Sequence, residues 1–134
     1  MNGLHIVAEF HDCQCAAALL LRVEELAHVC LTACQAGGLT VVAQTFHQFG
    51  ALDTPSGATG ALVLAESHLA VHTWPEWRGA TLDLYVCNVS RDNREQAETV
   101  FKKLQQDFAP NRATVRRIER DNPAAAPKNL ANGS

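Results

Sequence analysis

The spacing of apolar residues along the chain divides it into strands and helices. Short apolar runs, and strict alternation of apolar with polar residues, are typical of β-strands. Such patterns occur at residues 6–10, 40–49, 61–65, 81–87 and 113–118. Apolar residues at intervals of three and four are typical of helices, and they recur over residues 16–36 and 97–108. The order of these segments predicts an α+β two-layer sandwich, with a mainly antiparallel sheet and both helices on one face.

Turn-forming residues between these segments predict where the elements end. Gly37 and Gly38 follow the first helix and are a suitable C-terminal stop. Asp92 and Glu95 have the spacing of a capping box, which predicts the start of the second helix. Residues 50–60 contain three glycines and a proline, and this composition predicts a loop.

Length and composition describe one globular domain. The chain has 134 residues, of which 47% are hydrophobic and 19% are charged, so it can build a core of its own. Residues 1–118 are expected to form this domain. Residues 119–134 contain no periodic apolar positions and are expected to be a disordered tail.

Charge and hydropathy argue against two classes of partner. The net charge is −3 and the basic residues form no long cluster, so nucleic acid is not an expected partner. No apolar run approaches the ~20 residues that cross a bilayer, and the first ten residues lack the features of a secretory signal. We therefore expect a cytoplasmic protein without a membrane partner, whose five cysteines are reduced thiols.

The spacing of cysteine and histidine does not predict a metal site. The candidate pairs are Cys13 with Cys15, Cys30 with Cys34, and His68 with His72. Neither cysteine pair has a matching second half of the kind that zinc sites use. The two histidines, four positions apart on a strand, are separated by ~13 Å and cannot share one ion. We expect no metal cofactor.

Residues 64–76, LAESHLAVHTWPE, hold most of the reactive side chains, and they are expected to continue the strand at residues 61–65. A serine hydrolase is one reading of this segment, but Ser67 lacks the flanking glycines of a nucleophile elbow. In one extended strand Ser67 and His72 point to opposite faces, ~16 Å apart. Either the strand breaks between them or the histidine comes from another subunit.

The same segment resembles the prokaryotic S-adenosylmethionine decarboxylase family. The resemblance is carried by GALVLAESHLAVHTWPE at residues 60–76 and by LDLYVC at residues 82–87. Comparable segments of that family match HIVAEFHDC, GGLTVVAQTFHQF and DNREQAETVFKKL in this chain. The similarity extends over roughly residues 3–118 and includes nearly every predicted strand and helix.

The resemblance implies a self-processing decarboxylase that depends on a pyruvoyl group. Ser67 would attack the carbonyl of Glu66, and elimination with loss of ammonia would turn Ser67 into the pyruvoyl group, in place of pyridoxal phosphate. By position, His72 matches the processing histidine, Thr59 a hydroxyl residue that assists processing, and Cys87 the acid that protonates the product carbon. A pyruvoyl carbonyl forms a Schiff base with the substrate amine and accepts the charge left by CO2.

The implied substrate is S-adenosylmethionine, and its decarboxylated product serves spermidine biosynthesis. Phe49 matches an aromatic residue that stacks on adenine, and Glu76 matches an acid that binds the ribose hydroxyls. The predicted loop at residues 50–58 looks longer than in the family and contains Asp53. Asp53 could pair with the cation of ornithine or arginine, which makes a basic amino acid the alternative substrate, or it could be a turn residue only.

The resemblance also implies a homodimer with shared active sites. Ser67 and Cys87 of one protomer would then meet His72 and Thr59 of the other. After cleavage such an assembly is a dimer of heterodimers, with a small-molecule substrate as its ligand. A non-processing paralogue that acts only as a partner subunit is the remaining possibility.

Overall fold

The computed structural model describes residues 3–88 and 91–121. Its elements follow one another in the order β1 (Gly3–Cys13), α1 (Ala17–Leu21), α2 (Val23–Ala36), β2 (Val41–Gly50), β3 (Pro55–Leu64), β4 (Ser67–Trp74), a 3₁₀ turn (Pro75–Trp77), β5 (Gly79–Cys87), α3 (Arg94–Phe108) and β6 (Pro110–Glu119). Most of the predicted tail lies outside the described residues.

The strands form one six-stranded sheet in the order β2-β3-β4-β5-β1-β6. Every neighbouring pair is antiparallel. Because side chains alternate between the faces of a strand, the alternating apolar residues of β1 and β5 all reach one face, where Ile6, Phe10 and Leu84 are buried. The helices α2 and α3 pack on each other and against this face. The predicted α+β two-layer sandwich is confirmed.

The opposite face of the sheet carries polar and aromatic side chains. His68, His72 and Trp74 alternate along β4 with the buried Leu69, Val71 and Thr73, so they point away from the helices. We call this the open face. The side chains of the candidate site are divided between the open face and one end of the sheet.

The predicted helix over residues 16–36 is wrong in one respect, because it is divided at Arg22. The backbone of Arg22 is extended, with φ −111° and ψ 131°. The side chain of Gln48, from β2, satisfies the groups that this break leaves free: its Oε1 accepts from Val23 N–H at 2.8 Å, and its Nε2 donates to Leu21 O at 2.8 Å. A contact across 25 residues thus replaces the helical hydrogen bonds.

The predicted loop at residues 50–60 is wrong over most of its length. Only the four residues between β2 and β3 leave the sheet. They are closed by Ala51 N–H donating to Thr54 O at 3.3 Å and Thr54 N–H donating to Ala51 O at 3.1 Å. Glycine is required at position 60 by packing instead of by a turn, since a Cβ there would lie 2.0 Å from Cδ1 of Phe46.

The continuous strand expected from residue 61 onwards is also wrong. Ala65 and Glu66 form a bend that separates β3 from β4. Ala65 N–H donates to Thr40 O at 3.0 Å, which ties this bend to the residue preceding β2. The Glu66–Ser67 bond therefore lies at a hairpin turn and not inside a strand.

Candidate active site

Ser67 and Cys87 lie side by side at one end of the sheet. Ser67 is the first residue of β4 and pairs with Val86, the residue before Cys87. The backbone N–H of Cys87 donates to Ser67 Oγ at 3.4 Å. A cavity of about 230 Å³ lies beside this contact and is lined by Glu66 and Ser67 with Leu39, Thr40, Leu64, Ala65, Arg91 and Asn93. The structure thus brings three predicted residues together: Glu66, Ser67 and Cys87.

Asn93 is a member of this cluster that the sequence analysis missed. It is one of the two buried polar or charged residues in the described part of the chain, with 4% of its surface exposed. Its Nδ2 donates to Cys87 O at 2.9 Å and to Glu66 Oε2 at 3.3 Å. Its Oδ1 accepts from Arg91 Nε at 2.9 Å, and its N–H donates to Asn88 Oδ1 at 2.9 Å.

The available signal for Asn93 was its position at the start of α3. The capping box predicted for Asp92 and Glu95 is wrong, because Asn93 is the N-cap residue and no side chain caps this helix. The Asp92 carboxylate instead accepts from the backbone N–H of Arg94 at 3.0 Å. Asparagine is a favoured N-cap, but sequence alone does not say that its amide is used elsewhere.

His72 and Thr59 form a second cluster on the open face. They are direct partners in the register of β3 and β4. The His72 ring lies between two aromatic rings, with centroid distances of 4.0 Å to Trp74 and 5.3 Å to Phe49. Thr59 Oγ1 donates to Val71 O at 3.2 Å.

A cavity of about 280 Å³ opens beside His72. It is lined by Phe49, Ser56, His72, Thr73, Trp74 and Glu76. The predicted processing histidine His72 therefore lines the same cavity as Phe49 and Glu76, which were predicted to bind substrate. Asp53 lies exposed in the turn between β2 and β3 and does not line this cavity. Its role in substrate choice stays a prediction.

The two clusters are separated by the length of β4. This strand is unbroken from Ser67 to Trp74, and its register with β5 is continuous over the same residues. One of the two alternatives left open by the sequence, a break between Ser67 and His72, is therefore wrong. At ~3.3 Å per residue the two side chains of one protomer are ~16 Å apart and leave opposite faces of the strand.

Buried hydrogen bonds hold β4 in place beneath His72. The next residue, Thr73, points to the helix side and is 2% exposed. Its Oγ1 accepts from Ala58 N–H at 2.9 Å and donates to Leu20 O at 2.8 Å. These contacts join β4 to β3 and α1. They therefore hold the backbone of His72 in place from the helix side of the sheet.

A polar aromatic group lies next to Cys87 on the open face. The rings of His68 and Tyr85 are 5.6 Å apart, and each is near His5, at 6.4 and 6.1 Å. Burial, and then a hydrogen bond with the Cys87 side chain, raise the pKa of Tyr85, while the nearby Arg120 guanidinium lowers it. Burial, followed by the charges of His5 and Arg120, lowers the pKa of His68. His68 has no assigned function.

The remaining cysteines are free thiols away from these clusters. Cys30 and Cys34 point into the core, where burial raises the pKa of both thiols, that of Cys34 to about 11. Burial and the neighbouring Cys15 raise the pKa of Cys13 to about 11. Within residues 3–88 and 91–121, no three potential ligands are arranged to hold a metal ion. No helix in this part of the chain has the length and apolarity to cross a membrane.

Comparisons with known proteins point in one direction. The family model described as S-adenosylmethionine decarboxylase matches residues 4–121. A protein from Thermoplasma volcanium named S-adenosylmethionine decarboxylase proenzyme is 35% identical over 118 residues, which are 88% of this chain and 83% of that protein. A protein of the same name from Thermotoga maritima is 37% identical over 102 residues, or 76% of this chain and 74% of its own.

A solved structure is similar over nearly its whole length. It is the adenosylmethionine decarboxylase from Aquifex aeolicus VF5, which superimposes with a TM-score of 0.79. The match covers 95% of this chain and 97% of that one, at 28% sequence identity. The similarity therefore extends beyond the motif around Ser67 to the overall fold.

Proposed function

Because the chain belongs to the S-adenosylmethionine decarboxylase family, we propose that it decarboxylates S-adenosylmethionine after cleaving its own backbone between Glu66 and Ser67. The Ser67 hydroxyl takes the Glu66 acyl group from the peptide nitrogen to form an ester, and elimination then releases the first fragment with Glu66 as its terminal carboxylate. Water replaces the nitrogen of the dehydroalanine left at position 67, which releases ammonia and leaves a pyruvoyl group at the new N-terminus of the second fragment. That carbonyl supplies the electron sink that an α-amino acid needs in order to lose CO2, which no ordinary side chain offers.

The observation that carries this proposal is the position of Ser67 Oγ. Ser67 lies at a hairpin turn, next to a carbonyl that a hydroxyl can attack, and its Oγ is held by the backbone N–H of Cys87 at 3.4 Å. The adjoining cavity of about 230 Å³ has room for a small carbonyl group, and Cys87 follows Val86, the partner of Ser67 on the neighbouring strand. These residues therefore fit a pyruvoyl group derived from Ser67.

The other site residues have proposed roles in self-cleavage, in decarboxylation and in substrate binding. His72 takes the α-proton of Ser67 during the elimination, and the Thr59 hydroxyl assists. Cys87 gives its proton to the product carbon after CO2 has left. Phe49 stacks on the adenine, and the Glu76 carboxylate accepts hydrogen bonds from the ribose hydroxyls. The shared cavity of Phe49, His72 and Glu76 supports this assignment.

The distance between Ser67 and His72 supports a homodimer with shared active sites. A base must come within hydrogen-bond reach of the proton that it removes, which ~16 Å along one strand does not permit. We therefore propose that two protomers associate so that each completes the site of the other. His72 and Thr59 of one protomer then approach Ser67 and Cys87 of the other, and each cleaved assembly is a dimer of heterodimers.

Five free cysteines in the described structure favour a reducing compartment. Buried thiols such as Cys30 and Cys34 contribute to the core as small apolar groups, and no pairing with another cysteine is needed to hold α2. We propose a cytoplasmic location on this ground. Polyamine precursors and S-adenosylmethionine are expected in the same compartment as the enzyme.

The alternative of a basic amino acid as substrate has no support from the site. It depends on Asp53, whose place in the exposed turn is outside the cavity that holds Phe49 and Glu76. The further possibility of a non-processing partner subunit requires that the Glu66–Ser67 bond stay intact. Both alternatives are decided by the experiment that tests the proposal.

The experiment combines intact-mass analysis with CO2 release. Purified wild-type protein should give fragments of 66 and 68 residues, the second resistant to Edman degradation because its N-terminal amine has been lost. Given S-adenosylmethionine, ornithine, arginine or lysine separately, it should release CO2 only from the first. A chain that stays at full length, or one that acts on a basic amino acid alone, would overturn the proposal.

A further inference from the structure

A closed ring of contacts connects the cleavage site with Cys87 through Asn93. Starting from the Glu66–Ser67 peptide bond, Ser67 Oγ accepts from Cys87 N–H at 3.4 Å. The carbonyl of the same Cys87 accepts from Asn93 Nδ2 at 2.9 Å, and that Nδ2 also donates to Glu66 Oε2 at 3.3 Å. One amide group therefore contacts both the residue that supplies the scissile carbonyl and the residue whose backbone N–H contacts the nucleophile.

The orientation of the Asn93 amide is determined by its other neighbour. Arg91 Nε donates to Asn93 Oδ1 at 2.9 Å, so the carbonyl oxygen must point to Arg91 and the two hydrogens of Nδ2 to Cys87 and Glu66. Arg91 Nη2 in turn donates to Gly38 O at 3.4 Å, just after α2. The three contacts of the Asn93 side chain match the donor and acceptor pattern of a single amide orientation.

The side chain of Asn93 does not cap its own helix. An asparagine at an N-cap usually accepts a hydrogen bond from a backbone N–H of the first turn, but no such bond is made in α3. The amide is instead buried against β5 and the cleavage turn, with 4% of the residue exposed. A buried polar group satisfied in this way is costly to replace, and its position limits the positions of its partners.

We propose that Asn93 is a positioning residue for self-cleavage, which holds Cys87 and Glu66 so that Ser67 Oγ faces the scissile carbonyl. The inference rests on the proposed function, because it concerns the same bond. Asn93 forms no bond with a reacting atom and acts through Cys87 and Glu66. A displacement of about 1 Å at a reacting pair can cost about 100-fold in rate, so loosening this ring should slow cleavage measurably.

The main test is Asn93→Asp, which keeps the shape of the side chain and its suitability as an N-cap. It replaces the two donors of Nδ2 with a carboxylate oxygen that faces Glu66 Oε2 and Cys87 O. Self-cleavage is followed by pulse-labelled cell-free synthesis, with the soluble chain sampled over time on denaturing gels. We expect Asn93→Asp to cleave about 10- to 100-fold more slowly than wild type.

Asn111→Asp is the matched control. Asn111 also donates from Nδ2 to a carboxylate, Asp12 Oδ2 at 2.7 Å, but it is exposed on β6. The control makes the same change of charge and loses the same kind of bond, and its cleavage rate should stay within about twofold of wild type. Thermal midpoints of all variants are compared in a Ser67→Ala background, in which every chain is uncut.

A second-site change separates positioning from general damage to the fold. When Asn93→Asp is combined with Glu66→Gln, the glutamine amide introduced at position 66 can donate to the new carboxylate, so cleavage should recover at least about fivefold over Asn93→Asp alone. Glu66→Gln alone is measured in parallel, so that the recovery in the double variant is judged against both single changes. If Asn93→Asp does not fold, Arg91→Ala serves instead: it changes an exposed side chain, removes the contact that orients the amide, and should slow cleavage several-fold.

The inference is overturned if Asn93→Asp cleaves within about twofold of wild type, or if its defect is not relieved by Glu66→Gln. A wild-type rate for Arg91→Ala, where that variant is used, overturns it as well. These results are distinct from failure of the proposed function, in which the wild-type chain itself stays uncut.

Discussion

The two ends of β4 are built by different means. At the Ser67 end, the functional groups are held by hydrogen bonds to the Cys87 backbone and to the buried Asn93. At the other end, His72 is held by contact with the rings of Phe49 and Trp74 on the open face. The first arrangement fixes atoms within one protomer, whereas the second leaves a surface on which a nucleoside or another protomer can rest.

This difference follows from the two tasks that the proposed chemistry sets. An attack by a serine hydroxyl on the preceding carbonyl needs the two groups at a fixed separation, which hydrogen bonds to backbone groups provide. Binding an adenine needs flat apolar surface with a few polar groups, which the cavity of Phe49, Trp74 and Glu76 provides. Strand parity then prevents the two ends from serving each other within one protomer.

The largest expected effect comes from disabling the two ends of β4 on different chains, which tests whether one site takes residues from both protomers. Ser67→Ala and His72→Ala each leave a homodimer without one component, so each alone should be uncut or cut at least about 100-fold more slowly. In a mixed dimer, one site has both an intact Ser67 and an intact His72. With the two chains tagged to differ in mass, coexpression should restore cleavage of the His72→Ala chain only. No cleavage in the mixture would mean that the site is not shared.

The binding role of the His72 end is tested by Glu76→Gln. The amide keeps the shape of the side chain but loses the charge that strengthens hydrogen bonds to two hydroxyls, a contribution of about 1.5 kcal/mol or more. We expect KM for S-adenosylmethionine to rise about tenfold or more, with self-cleavage unchanged. Asp53→Asn is the control, because Asp53 lies outside the cavity, and its KM should stay within about twofold of wild type. A tenfold rise of KM in Asp53→Asn would show that Asp53 contributes to substrate binding, as the alternative of a basic amino acid requires.

Most of the fold was predictable because the apolar pattern is regular. The alternation of Ile6, Ala8 and Phe10, and of Leu82, Leu84 and Val86, determines which face of each strand is buried, and this determines the side of β4 on which His72 lies. The separation of Ser67 and His72 could be inferred for the same reason. The motif itself marked Glu66 and Ser67 in one cluster and His72 and Glu76 in the other.

The features that escaped prediction depend on contacts between distant residues. The break at Arg22 is stabilised by Gln48, and the glycine at position 60 is explained by the ring of Phe46 on the adjacent strand. Asn93 meets Glu66 across 27 positions. A local pattern cannot reveal such contacts, so Arg22 was predicted to be helical, Gly60 was predicted to lie in a loop, and Asn93 was given no role.

Thr73→Val is expected to loosen the His72 end without touching the open face. Valine keeps the shape but leaves Ala58 N–H and Leu20 O without their buried partner, which should lower the free energy of unfolding by about 1–3 kcal/mol. Urea unfolding of the uncut Ser67→Ala chain measures this value. Thr45→Val, at an exposed position of β2, should change it by less than about 0.5 kcal/mol. Equal effects of the two changes would show that Thr73 does not anchor β4.

The smallest expected effect is spectroscopic and concerns the Ser67 end. Tyr85 is the only tyrosine of the chain, so the absorbance change of phenolate formation reports this residue alone. Its pKa is raised, first by burial and then by the hydrogen bond with the Cys87 side chain, and is lowered by Arg120, with His5, His68 and Asp83 as the other titratable groups nearby. In uncut Ser67→Ala protein, the additional change Cys87→Ala should therefore lower the pH midpoint at which Tyr85 forms its phenolate.

Arg120→Ala should move the same midpoint in the opposite direction, because it removes a cation that favours the phenolate. Since the folded chain keeps the Tyr85 proton to higher pH than the unfolded chain does, the free energy of unfolding should fall as pH rises from the ordinary tyrosine value through the raised one. Below that range the contribution of Tyr85 is fully present. Two shifts of the same sign would mean that the thiol and the guanidinium do not act on Tyr85 from opposite directions, and that the Cys87 side chain is not hydrogen-bonded to the phenol.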